Sequence, residues 1–114
     1  MAICGIGVDM EKVSRFENAS PALLRRIFTE AELSFCLKTV KPAMHLAARF
    51  CAKEAAFKAL PFKEIAFKNI EVLSAPGAKP ELKVHDKRAD GFRIDLSISH
   101  TDEAAVAFVV VSED

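Results

Sequence analysis

The stretch Pro42-Ala43-Met44-His45-Leu46-Ala47-Ala48-Arg49-Phe50-Cys51-Ala52-Lys53-Glu54-Ala55-Ala56-Phe57-Lys58-Ala59-Leu60 decides the fold. Proline opens it and Pro61 closes it, so it predicts one long helix. Only His45, Arg49, Lys53, Glu54 and Lys58 interrupt a surface that is otherwise apolar nearly all round. Such a helix belongs at the centre of a domain rather than on its surface.

Working outward, Ala2 to Val8 is an apolar, β-compatible run that reads as a buried strand ending at Asp9. Residues 11–38 read as short helices. Ser20-Pro21 supplies an N-cap with proline at the first helical position, and Thr29 with Glu32 forms a capping box that opens a helix through about Leu37. Beyond Pro61 the pattern becomes strand-like. Ala66 to Leu73 has strand character, Pro76-Gly77 marks a turn, and Leu82 to His85 suits a returning hairpin strand. Asp86 to Gly91 is a polar connection, Arg93 to Ser99 alternates, and Ala104 to Val111 reads as a continuous buried strand. Helices first and an antiparallel meander second predict an α+β class, with one long core helix packed on an antiparallel sheet and short N-terminal helices.

At 114 residues the chain is expected to form a single domain, 1–114, with one hydrophobic core. No internal repeat, linker or low-complexity segment divides it. The apolar run near the end is far too short to span a membrane, and the N-terminus lacks the basic region of a signal peptide. Three widely spaced cysteines, Cys4, Cys36 and Cys51, fit free thiols in a reducing cytoplasm. Net charge is zero, but residues 1–60 hold nine Lys/Arg against six Asp/Glu, and the remainder hold seven against ten. The basic excess gathers around Lys12, Arg15, Arg25 and Arg26, a patch suited to an acidic partner or a solvated helix surface.

Asp9 and Glu54 are acids where the local pattern expects a hydrophobe. A buried carboxylate needs a cation, a hydrogen-bond network or a metal, and two of them suggest oxygen ligands for a hard cation such as Mg²⁺. Glu54 and Lys58 are one turn apart in the favourable order, and Arg49 and Lys53 form a second one-turn pair. Read alone, these are helix-surface charges with snorkelling stems; on so apolar a helix they also suit a metal-bound polyphosphate. His100, between hydroxyl-bearing residues at a strand end, suits an anion or base-edge contact, whereas His45 and His85 read as ordinary helix or surface positions. Gly5-x-Gly7 lacks the third glycine of a dinucleotide loop and reads as close packing of a central strand.

Taken in order, Gly5-Ile6-Gly7-Val8-Asp9, Arg49-Phe50-x-Ala52-Lys53-Glu54-Ala55-x-x-Lys58-Ala59 and Ser97-Ile98-Ser99-His100 resemble the three signatures of holo-[acyl-carrier-protein] synthases. The segments Asn69-Ile70-Glu71-Val72 and Gly77-x-Lys79-Pro80 resemble the sequence between the second and third. The resemblance implies the 4′-phosphopantetheinyl transferase fold and the transfer of 4′-phosphopantetheine from coenzyme A to a serine of apo acyl carrier protein, releasing adenosine 3′,5′-bisphosphate. It implies Asp9 and Glu54 as Mg²⁺ ligands, Lys58 on the pyrophosphate, and His100 on the nucleotide side of the coenzyme. Arg49 and Lys53 are implied as further phosphate contacts, and Arg15, Arg25 and Arg26 as the face that receives the carrier. Two proton acceptors stay open, Glu54 and a water on the metal.

The same resemblance implies a cytoplasmic homotrimer with the coenzyme held between subunits, serving fatty-acid synthesis, and no nucleic-acid or membrane partner. Two departures stand out: Phe57 where the family has a small hydroxylated residue, and Leu60-Pro61-Phe62-Lys63 where it has glycine-rich sequence. The alternatives are a Mg²⁺-dependent nucleotide or pyrophosphate hydrolase and a non-catalytic module that binds coenzyme A or a carrier.

Overall fold

The computed structural model describes residues 1–114. Strand β1 (Ala2–Lys12) leads through a 3₁₀ turn at Val13–Phe16 to helices α1 (Pro21–Ile27), α2 (Glu30–Leu37) and α3 (Pro42–Ala59). Strands β2 (Ile70–Leu73), β3 (Glu81–Val84), β4 (Arg93–His100) and β5 (Ala104–Glu113) follow. The fold is α+β, as the sequence predicts. The strands do not form one meander, however. β1 joins β5 and β4 in an antiparallel sheet of order β1-β5-β4, while β2 and β3 pair separately as a hairpin.

Local chemistry sets the helix ends. Ser20 Oγ accepts from the Leu23 N–H at 3.2 Å, ahead of Pro21. Both halves of the Thr29–Glu32 capping box are present. The end of α3 is less usual. With Pro61 following, no glycine caps it; Lys63 Nζ donates instead to the carbonyls of Phe57 (2.7 Å), Leu60 (3.4 Å) and Lys58 (3.5 Å). The strand expected over 66–73 is shorter because Phe67–Asn69 forms a 3₁₀ turn, and β1 runs past Asp9 to Lys12.

α3 lies across β1 and β5 and is the centre of the core, as its all-round apolar sequence requires. It approaches β1 very closely. A Cβ on Gly5 would come within 1.9 Å of the Ala59 carbonyl oxygen, and one on Gly7 within 1.9 Å of that of Ala55. The Gly5-x-Gly7 pair is therefore a packing device: any side chain there would push strand and helix apart.

β5 is not buried throughout. Ala105, Ala107, Val109 and Val111 face α3, but Phe108, one face over, is 44% exposed. On the same outer face of β1, Ile6, Val8 and Met10 are also exposed. The apolar runs supply two apolar faces, and one chain covers only one. No helix is long and apolar enough to cross a membrane.

Candidate active site

Alternation along β1 puts Gly5, Gly7, Asp9 and Glu11 on the α3 side of the sheet, and the glycines bring α3 near enough for Asp9 to meet it. Lys58 Nζ donates to the Val8 carbonyl at 2.8 Å and lies 3.5 Å from Asp9 Oδ1. Glu54, one turn earlier, is half-buried. Burial first, and then the Asp9 charge, push its carboxyl above the ordinary range, while Lys58 and Arg15 pull it down. Neither acid is sealed in the core; each keeps an open side.

Glu11 is the residue that sequence reasoning missed. Two positions beyond Asp9 on the same strand face, it pairs with Arg15 at 2.5 Å and adds its negative charge to Glu54 and Cys51. The period-2 spacing of Asp9 and Glu11 was the available signal. Cys51 sits beneath the acids. Burial and the charges of Asp9 and Glu11 raise its thiol to about 12, so it stays protonated and serves as packing.

The donor set is hard oxygen, which fits Mg²⁺. Asp, Glu, His and Cys side chains assemble no cage of three ligands anywhere in the chain, so a cation here would draw on Asp9 and Glu54 and leave positions for water and substrate oxygens.

A second group lies on the other side of α3. Arg49 and Lys58 are nine residues apart, about two and a half turns, which places them on opposite flanks. Arg49 is buried to 7% exposure, stacks 4.8 Å from the Phe35 ring centre and donates to Ser74 Oγ at 2.7 Å. His100, exposed at the end of β4, has its ring 5.7 Å from that of His45. Within one chain, then, Asp9, Glu54 and Lys58 come together, and Arg49 and His100 stand apart from them.

Lys53 joins neither group. Its ammonium is fully enclosed and bonded to Glu32 Oε1 (2.8 Å) and the carbonyls of Phe67 (2.9 Å) and Ile70 (2.5 Å). All three protons are used, so the phosphate contact expected of it is corrected: Lys53 ties α3 to α2 and to the segment leading into β2. Glu32 in turn accepts from the N–H groups of Thr29 and Val72. Arg25 and Arg26 project from the last turn of α1 into solvent, and half-exposed Arg15 lies over the Phe50 ring at 4.7 Å. Phe57 meets Phe67 edge-to-face, an apolar contact in place of a hydroxyl.

The model of the 4′-phosphopantetheinyl transferase superfamily matches residues 5–109. The chain belongs to that family. It is 42% identical to a holo-[acyl-carrier-protein] synthase of Thermodesulfovibrio yellowstonii, over 95% of this chain and 97% of the relative. The crystal structure of a holo-(acyl-carrier-protein) synthase from Bacillus anthracis in complex with CoA (3′,5′-ADP) is similar over the whole of both chains, with a TM-score of 0.85 and 35% identity. That of the Helicobacter pylori synthase in complex with coenzyme A gives 0.81 at 29% identity, covering 94% of this chain and 99% of the other. The expected enzyme class, holo-[acyl-carrier-protein] synthase, is thereby borne out.

Proposed function

We propose that this enzyme transfers 4′-phosphopantetheine from coenzyme A to a serine of an apo acyl carrier protein, with Mg²⁺ held by Asp9 and Glu54. The observation that carries this reading is the open acid pair beside Lys58, on a strand pressed against the core helix by Gly5 and Gly7. When bound, the metal supplies charge neutralisation for the pyrophosphate. Lys58 Nζ, fixed by the Val8 carbonyl, adds a cation for the phosphate that departs. The serine oxygen forms a bond to the pantetheine-bearing phosphorus as the phosphoanhydride P–O bond breaks, releasing adenosine 3′,5′-bisphosphate. Two proton acceptors are compatible with this arrangement, Glu54 and a water on the metal.

Arg15, Arg25 and Arg26 would receive an acidic carrier. An apolar groove of about 560 Å³ beside them, lined by Val13, Phe16, Leu24, Met44 and Leu46, supports a docking helix with a hydrophobic edge. The two clusters on opposite flanks of α3, and the exposed outer face of Ile6, Val8, Met10 and Phe108, support a trimer in which the coenzyme bridges subunits. Three unbridged cysteines suit a reducing cytoplasm.

The decisive experiment mixes the enzyme with apo carrier, coenzyme A and Mg²⁺ and follows the mass of the carrier. A phosphopantetheine adduct on the serine is expected. No adduct with several carriers, or phosphate release from coenzyme A without a carrier, would overturn the transferase reading in favour of binding alone or hydrolysis.

A further inference from the structure

Of the arginines on the face offered to an acidic carrier, only Arg15 has a built place. Arg25 and Arg26 project from the last turn of α1 into solvent and take part in no ion pair of the molecule. Arg15 is held from two sides. Its guanidinium lies over the Phe50 ring at 4.7 Å and 6.0 Å from the centre of the Phe16 ring, and its Nη1 donates to Glu11 Oε2 at 2.5 Å. The carboxylate that holds it is itself immobilised. The Glu11 side chain is only 19% exposed, and its other oxygen accepts the Lys12 N–H at 3.1 Å. The four-residue spacing of Glu11 and Arg15 is not a helical register. Strand β1 gives way to the 3₁₀ turn between them, anchored by buried Val13 and Phe16 and by the Val13 N–H on the Glu103 carbonyl at 2.9 Å.

An ion pair whose cation is more than half exposed contributes little to stability, so its geometry is the more informative property. Only Nη1 is engaged. The Nε–H and the Nη2 protons stay free, and they form an edge of the fork that can meet a carboxylate with two parallel hydrogen bonds. A long side chain loses rotamer freedom when it binds, and a guanidinium already stacked and pinned has lost much of it in advance. Arg15 is also the one arginine of this face whose charge is felt at Glu54, which puts it at the border between docking face and acid pair. Resting on the carrier-docking reading above, we propose that Glu11 is a positioning residue for the carrier. It pins Arg15 over Phe50 so that the free edge of the guanidinium meets a carboxylate of the carrier and aligns the carrier's serine with the Asp9–Glu54 pair. Simple competition between Glu11 and the carrier for Arg15 predicts the opposite sign, tighter docking once Glu11 is gone.

The test measures binding of an apo acyl carrier protein by calorimetry, without coenzyme A and with divalent cations chelated. The native enzyme is compared with Glu11→Val, Glu11→Gln, Arg15→Ala and the double variant Glu11→Val/Arg15→Ala. Valine suits a strand and removes the acceptor, whereas glutamine keeps an oxygen for Nη1. Arg15→Ala should weaken the carrier by about tenfold and Glu11→Val by about fivefold, with the double variant no worse than Arg15→Ala alone. Glu11→Gln should stay within about twofold of the native enzyme. In turnover, Glu11→Val should raise KM for the carrier more than KM for coenzyme A. Glu11→Ala repeats the comparison if the valine variant is unstable. Losses that add in the double variant, tighter binding by Glu11→Val, or a carrier affinity that ignores Glu11 while still depending on Arg15 overturns this proposal and leaves the docking reading intact. A native enzyme that binds no carrier, or binds it equally well after Arg15→Ala, overturns the docking reading and this proposal with it.

Discussion

The two flanks of α3 each carry a lysine facing a carboxylate, and the contrast between them separates architecture from chemistry. On the hairpin flank, Lys53 and Glu32 are both fully enclosed, and every polar atom is matched by the other or by backbone. On the sheet flank, Lys58 is 56% exposed, its distance to Asp9 is a loose 3.5 Å, and Glu54 keeps an elevated proton affinity beside Asp9. The closed pair has nothing left to offer a ligand. The open one is incomplete by design of its surroundings, and its unmet charge is what a cation and a pyrophosphate would meet.

The contrast breaks most visibly at Lys53. Lys53→Met should strand the Glu32 carboxylate in the core and lower stability by about 3–5 kcal/mol in urea unfolding, with Glu32→Gln/Lys53→Met recovering part of the loss. Next, Asp9→Asn and Glu54→Gln should each lower kcat/KM by about 10²-fold or more while the chain stays folded, with the Mg²⁺ dependence of the residual rate shifted to higher concentration. If either substitution behaves like Lys53→Met, with activity falling only in step with unfolding, the sheet flank is structural too. Gly7→Ala should come third, destabilising by about 1–3 kcal/mol through its clash with the Ala55 carbonyl and reducing activity by moving Asp9 away from α3.

The smallest effect has the opposite sign. The folded carboxyl of Glu54 titrates above its ordinary 4.5, so the native state holds a proton that the unfolded chain releases. Stability contributed by that proton is present below the unfolded value and is lost as pH rises through the folded one. Glu54→Gln should therefore melt slightly higher than the native enzyme at pH 7 and at about the same temperature at pH 4. A lower melting temperature at pH 7 would show that Glu54 is paired rather than strained.

Much of this was legible in the chain. The all-round apolar helix announced its central place, Ser20 and Thr29 announced their caps, and the acids at Asp9 and Glu54 announced themselves by breaking an apolar pattern. The identity of the closed pair was hidden, because Glu32 serves a capping box whose signature is complete without mentioning a lysine some twenty positions away. Arg49 and Lys53 look interchangeable in sequence; only tertiary packing separates the cation whose protons are all used from the one that keeps donors to spare. His45 looked ordinary for the same reason: that its Nδ1 is buried without a hydrogen-bond partner is a property of its surroundings. The pairing of β1 with β5 joins the two ends of the chain and leaves no local mark.

The lysine that closes the end of α3 has an effect on what can approach there. A helix of this length carries about half a negative charge at its carboxyl end, and that end lies one residue beyond Lys58. Unrelieved, the macrodipole would repel an incoming polyphosphate at the point where it needs a cation. Lys63, sitting on three of the terminal carbonyls, reverses the sign of that end without a glycine loop. The proline that removes a backbone donor is thus accompanied by an ammonium that makes the terminus hospitable to anions.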